Sequence, residues 1–118
     1  MAGLTKGLMK FKKSQHVLEQ IFAELPLQHV MLLLAIAEED GITQPKIADK
    51  LGWPQGTVSR NVKKLSVYLV ESEVGTKRKA GYELVEQRPD TFDRKANAVY
   101  LTAKGKKVLK EISDIIEG

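Results

Sequence analysis

The residues best suited to chemistry follow a tight turn near the middle of the chain. Gly52, Trp53 and Pro54 separate two short helical patterns. The second pattern begins with a polar and basic run, which comprises Gln55, Gly56, Thr57, Ser59, Arg60, Lys63 and Lys64. Amide, hydroxyl and guanidinium groups on one helix can hydrogen-bond to base edges, and lysines can neutralise phosphates. The pattern predicts a helix-turn-helix that contacts double-stranded DNA, although the same shape also occurs as a plain structural corner.

Two short helices must position these side chains. One is predicted over 44–51, with Thr43 as its N-cap and Gly52 after its end in a positive-φ conformation. The DNA-reading helix is predicted over 55–69, with an apolar stripe made of Val58, Val62, Leu65 and Leu69. Because a helix N-terminus attracts phosphate, Thr43 and Gln44 are candidates for holding the DNA backbone.

The candidate contacts fall into two groups. Gln55, Thr57, Arg60 and Lys64 are predicted to read or approach bases, with Gly56 beside them at the start of the helix. The residues predicted to hold phosphates are Thr43, Gln44, Ser59, Lys63 and Lys95.

The rest of the sequence predicts one domain over residues 1–118. Further helices are predicted over 5–25, 27–39 and 103–116, and a hairpin over 82–87 and 97–102, with a possible short strand at 42–43. The fold class is mainly α with a small β-hairpin (α+β), a winged helix-turn-helix in the order α-α-α-α-β-β-α. Residues 66–80, which include Lys77, Arg78 and Lys79, are predicted to be a loop or a frayed helix end. The sequence favours neither of two alternatives for this loop, contact with DNA or free solvation.

Composition narrows the classes of function. The chain has 118 residues and no cysteine, which excludes disulfides and thiolate metal sites and suits the reducing cytosol. Residues 54–110 carry thirteen Lys/Arg against six Asp/Glu, a net charge of +7, while residues 1–53 carry six of each. This asymmetry favours a partner that carries phosphate, although a solvated lysine-rich surface would have the same charge. His16 and His29 lack ligand-spaced partners, so we expect no metal. The longest apolar run, 30–37, is far shorter than the roughly 20 residues of a membrane span, so we expect none. Ser59 has no His/Asp arrangement around it and no phosphate-binding glycine motif is present, so we expect no cofactor and no enzyme activity.

Several motifs resemble the multiple-antibiotic-resistance regulators, the MarR family of winged-helix transcription factors. The most specific match is Leu84-Val-Glu-Gln-Arg-Pro-Asp-Thr-Phe-Asp-Arg-Lys95 followed by Val99-Tyr-Leu-Thr-Ala-Lys-Gly105. The other matching stretches are Leu27-Gln-His-Val-Met-Leu-Leu33, Gln44-Pro-Lys-Ile-Ala-Asp-Lys-Leu-Gly52 and Gly56-Thr-Val-Ser-Arg-Asn-Val-Lys-Lys-Leu65. The chain departs from the family at 66–80, which is about a dozen residues longer, and in its short terminal helices.

The resemblance implies roles for the matched positions. Thr57, Ser59 and Arg60 would belong to the DNA-reading helix. Arg94 would enter the minor groove from the wing tip, oriented by Asp93, and the negative potential of a narrow groove suits a guanidinium. The terminal helices, 5–25 and 103–116, would form a homodimer, although their apolar residues could instead complete the core of a monomer. Family members often respond to small aromatic effectors, but no residue here indicates such a pocket.

Two other functions remain open from the sequence. A winged-helix module that binds another protein would use the same fold without binding duplex DNA. A DNA-binding factor in the replication or maintenance of a mobile element would share every feature described above. The sequence does not distinguish the second of these from a transcriptional regulator, whereas the first predicts no duplex binding and tolerance of Arg94→Ala.

Overall fold

The computed structural model describes residues 2–20, 27–92 and 96–118, with the backbone alone for residues 2–4. In these ranges the helices are α1 (Ala2–Glu19), α2 (Leu27–Glu38), α3 (Gln44–Leu51), α4 (Gln55–Leu65) and α5 (Ala103–Glu117). The strands are β1 (Ile42–Thr43), β2 (Tyr68–Glu71), β3 (Lys77–Ala80), β4 (Val85–Pro89) and β5 (Asn97–Leu101). The fold is the predicted α+β winged helix-turn-helix, with one strand pair more than expected.

Helix α1 ends earlier than the predicted helix over 5–25. It runs from Ala2 to Glu19, and residue 20 lies in a turn. Apolar spacing shows which face of a helix is buried but does not fix where the helix ends, because capping decides that. Residues 21–25 of the predicted helix lie outside the described residues.

The core lies between α2, α3, α4 and the sheet formed by β1, β4 and β5. Its fully buried side chains are Leu32, Leu33, Ile36, Ile47, Val58, Val62, Leu65, Leu84, Val85 and Val99. Helix α2 contributes one of its sides to this core. On its other side, Met31 and Leu34 stay substantially exposed, so α2 also presents an apolar surface outward.

The main sheet is antiparallel, with strand order β1-β5-β4. Its central strand pairs Val99 with Ile42 on one side and with Gln87 on the other. The short strand predicted at 42–43 is therefore present. It joins the beginning of α3 to the hairpin formed by β4 and β5, so the helix-turn-helix and this hairpin form one unit.

Residues 66–80 are not the predicted loop or frayed helix. Helix α4 ends at Leu65, because Ser66 is extended (φ −94°, ψ −168°) while its N–H bonds back to the last turn. The chain then forms a second antiparallel hairpin from β2 and β3. The prediction that the helix reaches 69 was wrong: Leu69 is 61% exposed on β2, so its apolar side chain belongs to a strand and not to the helix stripe.

At two glycines, the backbone passes so close to a neighbouring segment that no side chain would fit. A Cβ on Gly81, where φ is +100°, would lie 1.8 Å from the carbonyl oxygen of Ser66. A Cβ on Gly105 would lie 2.1 Å from the carbonyl oxygen of Leu84. The Thr102 hydroxyl accepts a hydrogen bond from the Gly105 N–H and so caps α5 at this contact. In the described part of the chain, no helix is long and apolar enough to cross a membrane.

Candidate nucleic-acid interface

The turn between α3 and α4 is built as the sequence predicts, apart from one cap. Gly52 has φ 69° and ψ 31°, the left-handed conformation that reverses the chain after α3. Trp53 is half-buried and packs against the core. Thr43 occupies the N-cap position but makes no side-chain capping bond. Thr43 therefore has the position of the predicted cap but not its hydrogen bond. Pro45 in the first turn has no N–H, so one of the donors that a cap would satisfy is absent.

Helix α4 buries one face and presents the other to solvent. Val58, Val62 and Leu65 are fully buried, as the sequence predicts. The predicted contact residues that are exposed are Gln55, Gly56, Ser59, Arg60, Lys63 and Lys64, while Thr57 is half-buried. At 100° per residue, Gly56, Arg60 and Lys63 lie opposite the buried stripe. The centre of the exposed face is thus a glycine followed by two cations.

The exposed cations of α4 are available to an external anion. With the described residues, Arg60, Lys63 and Lys64 form no ion pair. Within the described part of the chain, Arg60 makes a long contact of 3.5 Å with the hydroxyl oxygen of Thr57, one turn earlier. A Cβ atom added to Gly56 would have the Arg60 guanidinium as its nearest neighbour, at 4.0 Å. This surface has room for a second molecule to approach the helix backbone.

A chain of hydrogen bonds joins three elements at the edge of this surface. The Ser59 hydroxyl of α4 donates to the side-chain oxygen of Gln44 at 2.8 Å. The Gln44 amide in turn donates to the side-chain oxygen of Gln87 on β4 at 2.7 Å. Two residues predicted to hold phosphates are therefore partners of each other in this structure. Sequence reasoning missed Gln87, because nothing in the sequence brings β4 next to the start of α3.

A buried polar pair lies beneath α4. His29 on α2 and Asn61 on α4 are 6% and 5% exposed, and their side chains meet at 2.7 Å. The Asn61 amide nitrogen donates to the Thr57 carbonyl at 2.8 Å and to the side-chain oxygen of Gln28 at 3.2 Å. The Asn61 oxygen must therefore accept from His29 Nδ1–H, which defines the tautomer. Burial lowers the pKa of His29, the Asn61 hydrogen bond opposes this, and the Lys64 charge adds to the lowering.

The hairpin of β4 and β5 projects beside the helix-turn-helix. Arg88 on β4 lies over the ring of Tyr100, 4.5 Å from its centroid, and pairs with Glu86. Near the tip, Phe92 is 97% exposed, and its N–H donates to the Asp90 carboxylate at 3.2 Å. The three predicted wing-tip residues, Asp93, Arg94 and Lys95, lie outside the described residues. Among the described residues, no group of His, Cys, Asp or Glu is arranged to hold a metal ion.

Comparison with known proteins agrees with this geometry. A family model described as MarR family matches residues 23–67. A MarR transcriptional regulator from Methanosarcina mazei Go1 is 30% identical, with a TM-score of 0.56 over 76% of this chain and 55% of that one. RV1404 from Mycobacterium tuberculosis is 21% identical, with a TM-score of 0.70 over 98% of this chain and 70% of that one. A MepR mutant from S. aureus is 25% identical, with a TM-score of 0.61 over 92% of this chain and 69% of that one.

The extent of these matches differs between the comparisons. The chain spans 55% of the length of the Methanosarcina mazei protein, and no curated protein matches it significantly. The family model covers α2, α3 and α4, which include the turn and the exposed face described above. The structural likenesses to RV1404 and to the MepR mutant extend over the whole fold. Residues 23–67 thus match the MarR family, and the fold of the whole chain is similar to the winged helix-turn-helix of RV1404.

Proposed function

We propose that this protein is a regulator of transcription that binds a specific sequence of double-stranded DNA, and that it is not an enzyme. One observation carries the proposal: α4 presents Gly56, Arg60 and Lys63 outward on a helix whose opposite side is locked into the core. A single helix fits the major groove of B-form DNA. The MepR mutant was solved bound to an oligodeoxyribonucleotide, which supports the same partner for this chain.

The roles of individual residues follow from their position on the helix. Arg60 is central on the exposed face and has five donors, so we assign it to a guanine edge. Gln55, Thr57 and Lys64 flank it and approach neighbouring bases. Gly56 places no side chain between the helix and the groove, which allows the backbone to come close to the DNA.

Phosphate contacts surround these base contacts. We assign Lys63 to a phosphate because it is exposed, charged and next to Arg60 on the outer face. Gln44 and Ser59 lie together where α3 begins beside α4, and they can exchange their internal hydrogen bonds for bonds to phosphate oxygens. Thr43 precedes Gln44 and makes no side-chain capping bond, so we assign its hydroxyl to a phosphate as well. From the family resemblance, we assign Arg94 to the minor groove and Lys95 to a phosphate.

A second copy of the chain completes the proposed regulator. Helix α1 packs against α5, and the Lys10 ammonium bonds to the Ile116 carbonyl at 3.1 Å. A groove of about 310 Å³ between α1, α2 and α5 is lined largely by apolar residues. Those lining it that remain substantially exposed are Phe11, Leu27, Met31, Leu34 and Ile116. A contiguous apolar surface of this kind is typical of an interface, and a two-fold dimer would present two reading helices to two half-sites.

Selection of bound duplexes from a random pool tests this proposal. We expect enrichment of one sequence with two inverted half-sites, whose centres are about one helical turn apart or a multiple of it. Failure to enrich any duplex would contradict sequence-specific binding. Enrichment of a single unrepeated site would retain DNA binding but overturn the dimer.

A further inference from the structure

The hairpin of β2 and β3 concentrates positive charge beside the end of α4. Its register pairs Leu69 with Lys79 and Val70 with Arg78, while Glu71 faces Lys77 closer to the turn. Every residue of β3 except Ala80 is exposed and basic. The acidic residues Glu71 and Glu73 lie at the far end of the hairpin, so Arg78 and Lys79 form the part of it that is both basic and nearest to the helix.

Backbone hydrogen bonds join the end of this hairpin to the last turn of α4. The Tyr82 N–H donates to the Lys64 carbonyl at 3.1 Å, and the Leu84 N–H donates to the Leu65 carbonyl at 2.8 Å. The Lys63 ammonium lies 5.2 Å from the centroid of the Tyr68 ring, within the range of a cation–π contact. The hairpin is therefore positioned by the same helix that carries the candidate base contacts.

The strand register shows which hairpin residues continue the exposed face of α4. Directly paired residues share one face of a hairpin, and faces alternate along the strand. Tyr68 paired with Ala80 and Val70 paired with Arg78 thus lie on the same face. Because Lys63 lies over Tyr68, Arg78 stands on the face that this lysine touches. Lys79 lies next to Arg78 on the opposite face, where it is exposed and pairs with the exposed Leu69.

We propose that the β2–β3 hairpin is a second wing, whose Arg78 and Lys79 bind the phosphate backbone of the same DNA duplex beyond the C-terminal end of α4. This inference rests on the proposed function. It is supported by charge complementarity with phosphate and by the continuity of the hairpin with Lys63. The hairpin lengthens the stretch of backbone that one protomer covers and contributes affinity without base contacts.

The salt dependence of duplex affinity tests the second wing. The test variant is Arg78→Gln/Lys79→Gln, and the control is Lys12→Gln/Lys13→Gln, which removes the same charge from exposed positions on α1. The plot of log K against log[salt] has a negative slope for a duplex selected by the wild-type protein. The test variant should make this slope less steep by about 2 per protomer. The control should leave the slope close to that of the wild type. The charge-preserving variant Arg78→Lys/Lys79→Arg should restore most of the slope, which shows that the charge at this place is responsible.

Hydroxyl-radical footprinting gives an independent readout of the same contact. The test variant should lose protection of the backbone at the edge of each half-site and keep protection at its centre. Equal slopes for the wild type and the test variant, or an equal loss in the α1 control, would overturn the second wing while leaving DNA binding by α4 intact. Absence of duplex binding by the wild-type protein would overturn both proposals.

Discussion

The imidazole of His29 donates a hydrogen bond of 2.7 Å to the side-chain oxygen of Asn61, and both groups are buried between α2 and α4. Asn61 is the one polar residue on the buried stripe of α4. Its amide also bonds to the Thr57 carbonyl of the same helix and to the side chain of Gln28 on α2, so two hydrogen bonds of Asn61 join α4 to α2. Together with the apolar side chains of the stripe, these bonds orient the face of α4 that carries Arg60 and Lys63.

Removal of the Asn61 side chain should destabilise the protein. Asn61→Ala deprives the buried His29 of the acceptor on its Nδ1–H, and an interrupted buried hydrogen bond costs about 1–3 kcal/mol. The free energy of unfolding, measured by urea denaturation, should fall by that amount. Asn97→Ala changes an exposed asparagine on β5 and should have a much smaller effect. Equal effects of the two substitutions would contradict a structural role for the buried pair.

Stability should decrease as the solution becomes mildly acidic. The pKa of His29 is lowered in the folded protein, so the unfolded chain binds a proton that the folded protein resists. The contribution of neutral His29 is fully present above its unfolded pKa of about 6.5 and is lost as the pH falls below that value. Between pH 7.5 and 5.5 the free energy of unfolding should decrease, by at most about 1.4 kcal/mol per pH unit.

Two histidine variants separate this effect from general acid sensitivity. His29→Gln should remove most of the decrease over that pH range, whatever its stability at pH 7.5. His16→Gln changes an exposed residue of α1 and should leave the decrease in place. An unchanged pH profile in His29→Gln would show that other groups cause it.

Two glycine substitutions should act in opposite directions. Gly105→Ala places a Cβ 2.1 Å from the Leu84 carbonyl oxygen, so α5 must move away from the beginning of β4. We expect a loss of about 1–3 kcal/mol, as for other overpacked sites. Gly7→Ala on α1 has nothing within 4 Å of the new Cβ and should stabilise the helix by about 0.5–1 kcal/mol. Thermal unfolding followed by circular dichroism compares the two, and a stabilising Gly105→Ala would contradict the close approach.

The sequence was sufficient for α3, its terminal Gly52 and the buried side of α4, because each is determined by local spacing. It failed where the outcome depends on distant partners. Leu69 continues the apolar stripe of α4 in sequence, but the extended backbone at Ser66 ends the helix first. Gln87 reaches Gln44 only because β5 places β4 near α3. His29 and Asn61 are 32 residues apart, and no local pattern pairs them.

Arg60 and Lys63, the two cations at the centre of the exposed face of α4, should differ in their effect on DNA binding. Arg60→Ala removes the group assigned to a base edge, so it should cost about 1–3 kcal/mol on the selected duplex and less on unrelated duplexes. Lys63→Ala removes a phosphate contact, so it should weaken binding to all duplexes alike and lower the salt slope by about 1. Fluorescence polarisation on selected and scrambled duplexes measures both. The same loss of discrimination in both variants would contradict this division of roles.

The dependence of wild-type affinity on salt, measured by fluorescence polarisation on the selected duplex, tests the central claim most directly. The cations assigned to phosphates, Lys63, Lys95, Arg78 and Lys79, make about eight phosphate contacts in a dimer. The association constant should therefore fall by about 10⁴-fold between about 50 and 200 mM salt. An affinity that is independent of salt, or no binding to duplex DNA at low salt, would contradict the account of α4 as a DNA-binding helix.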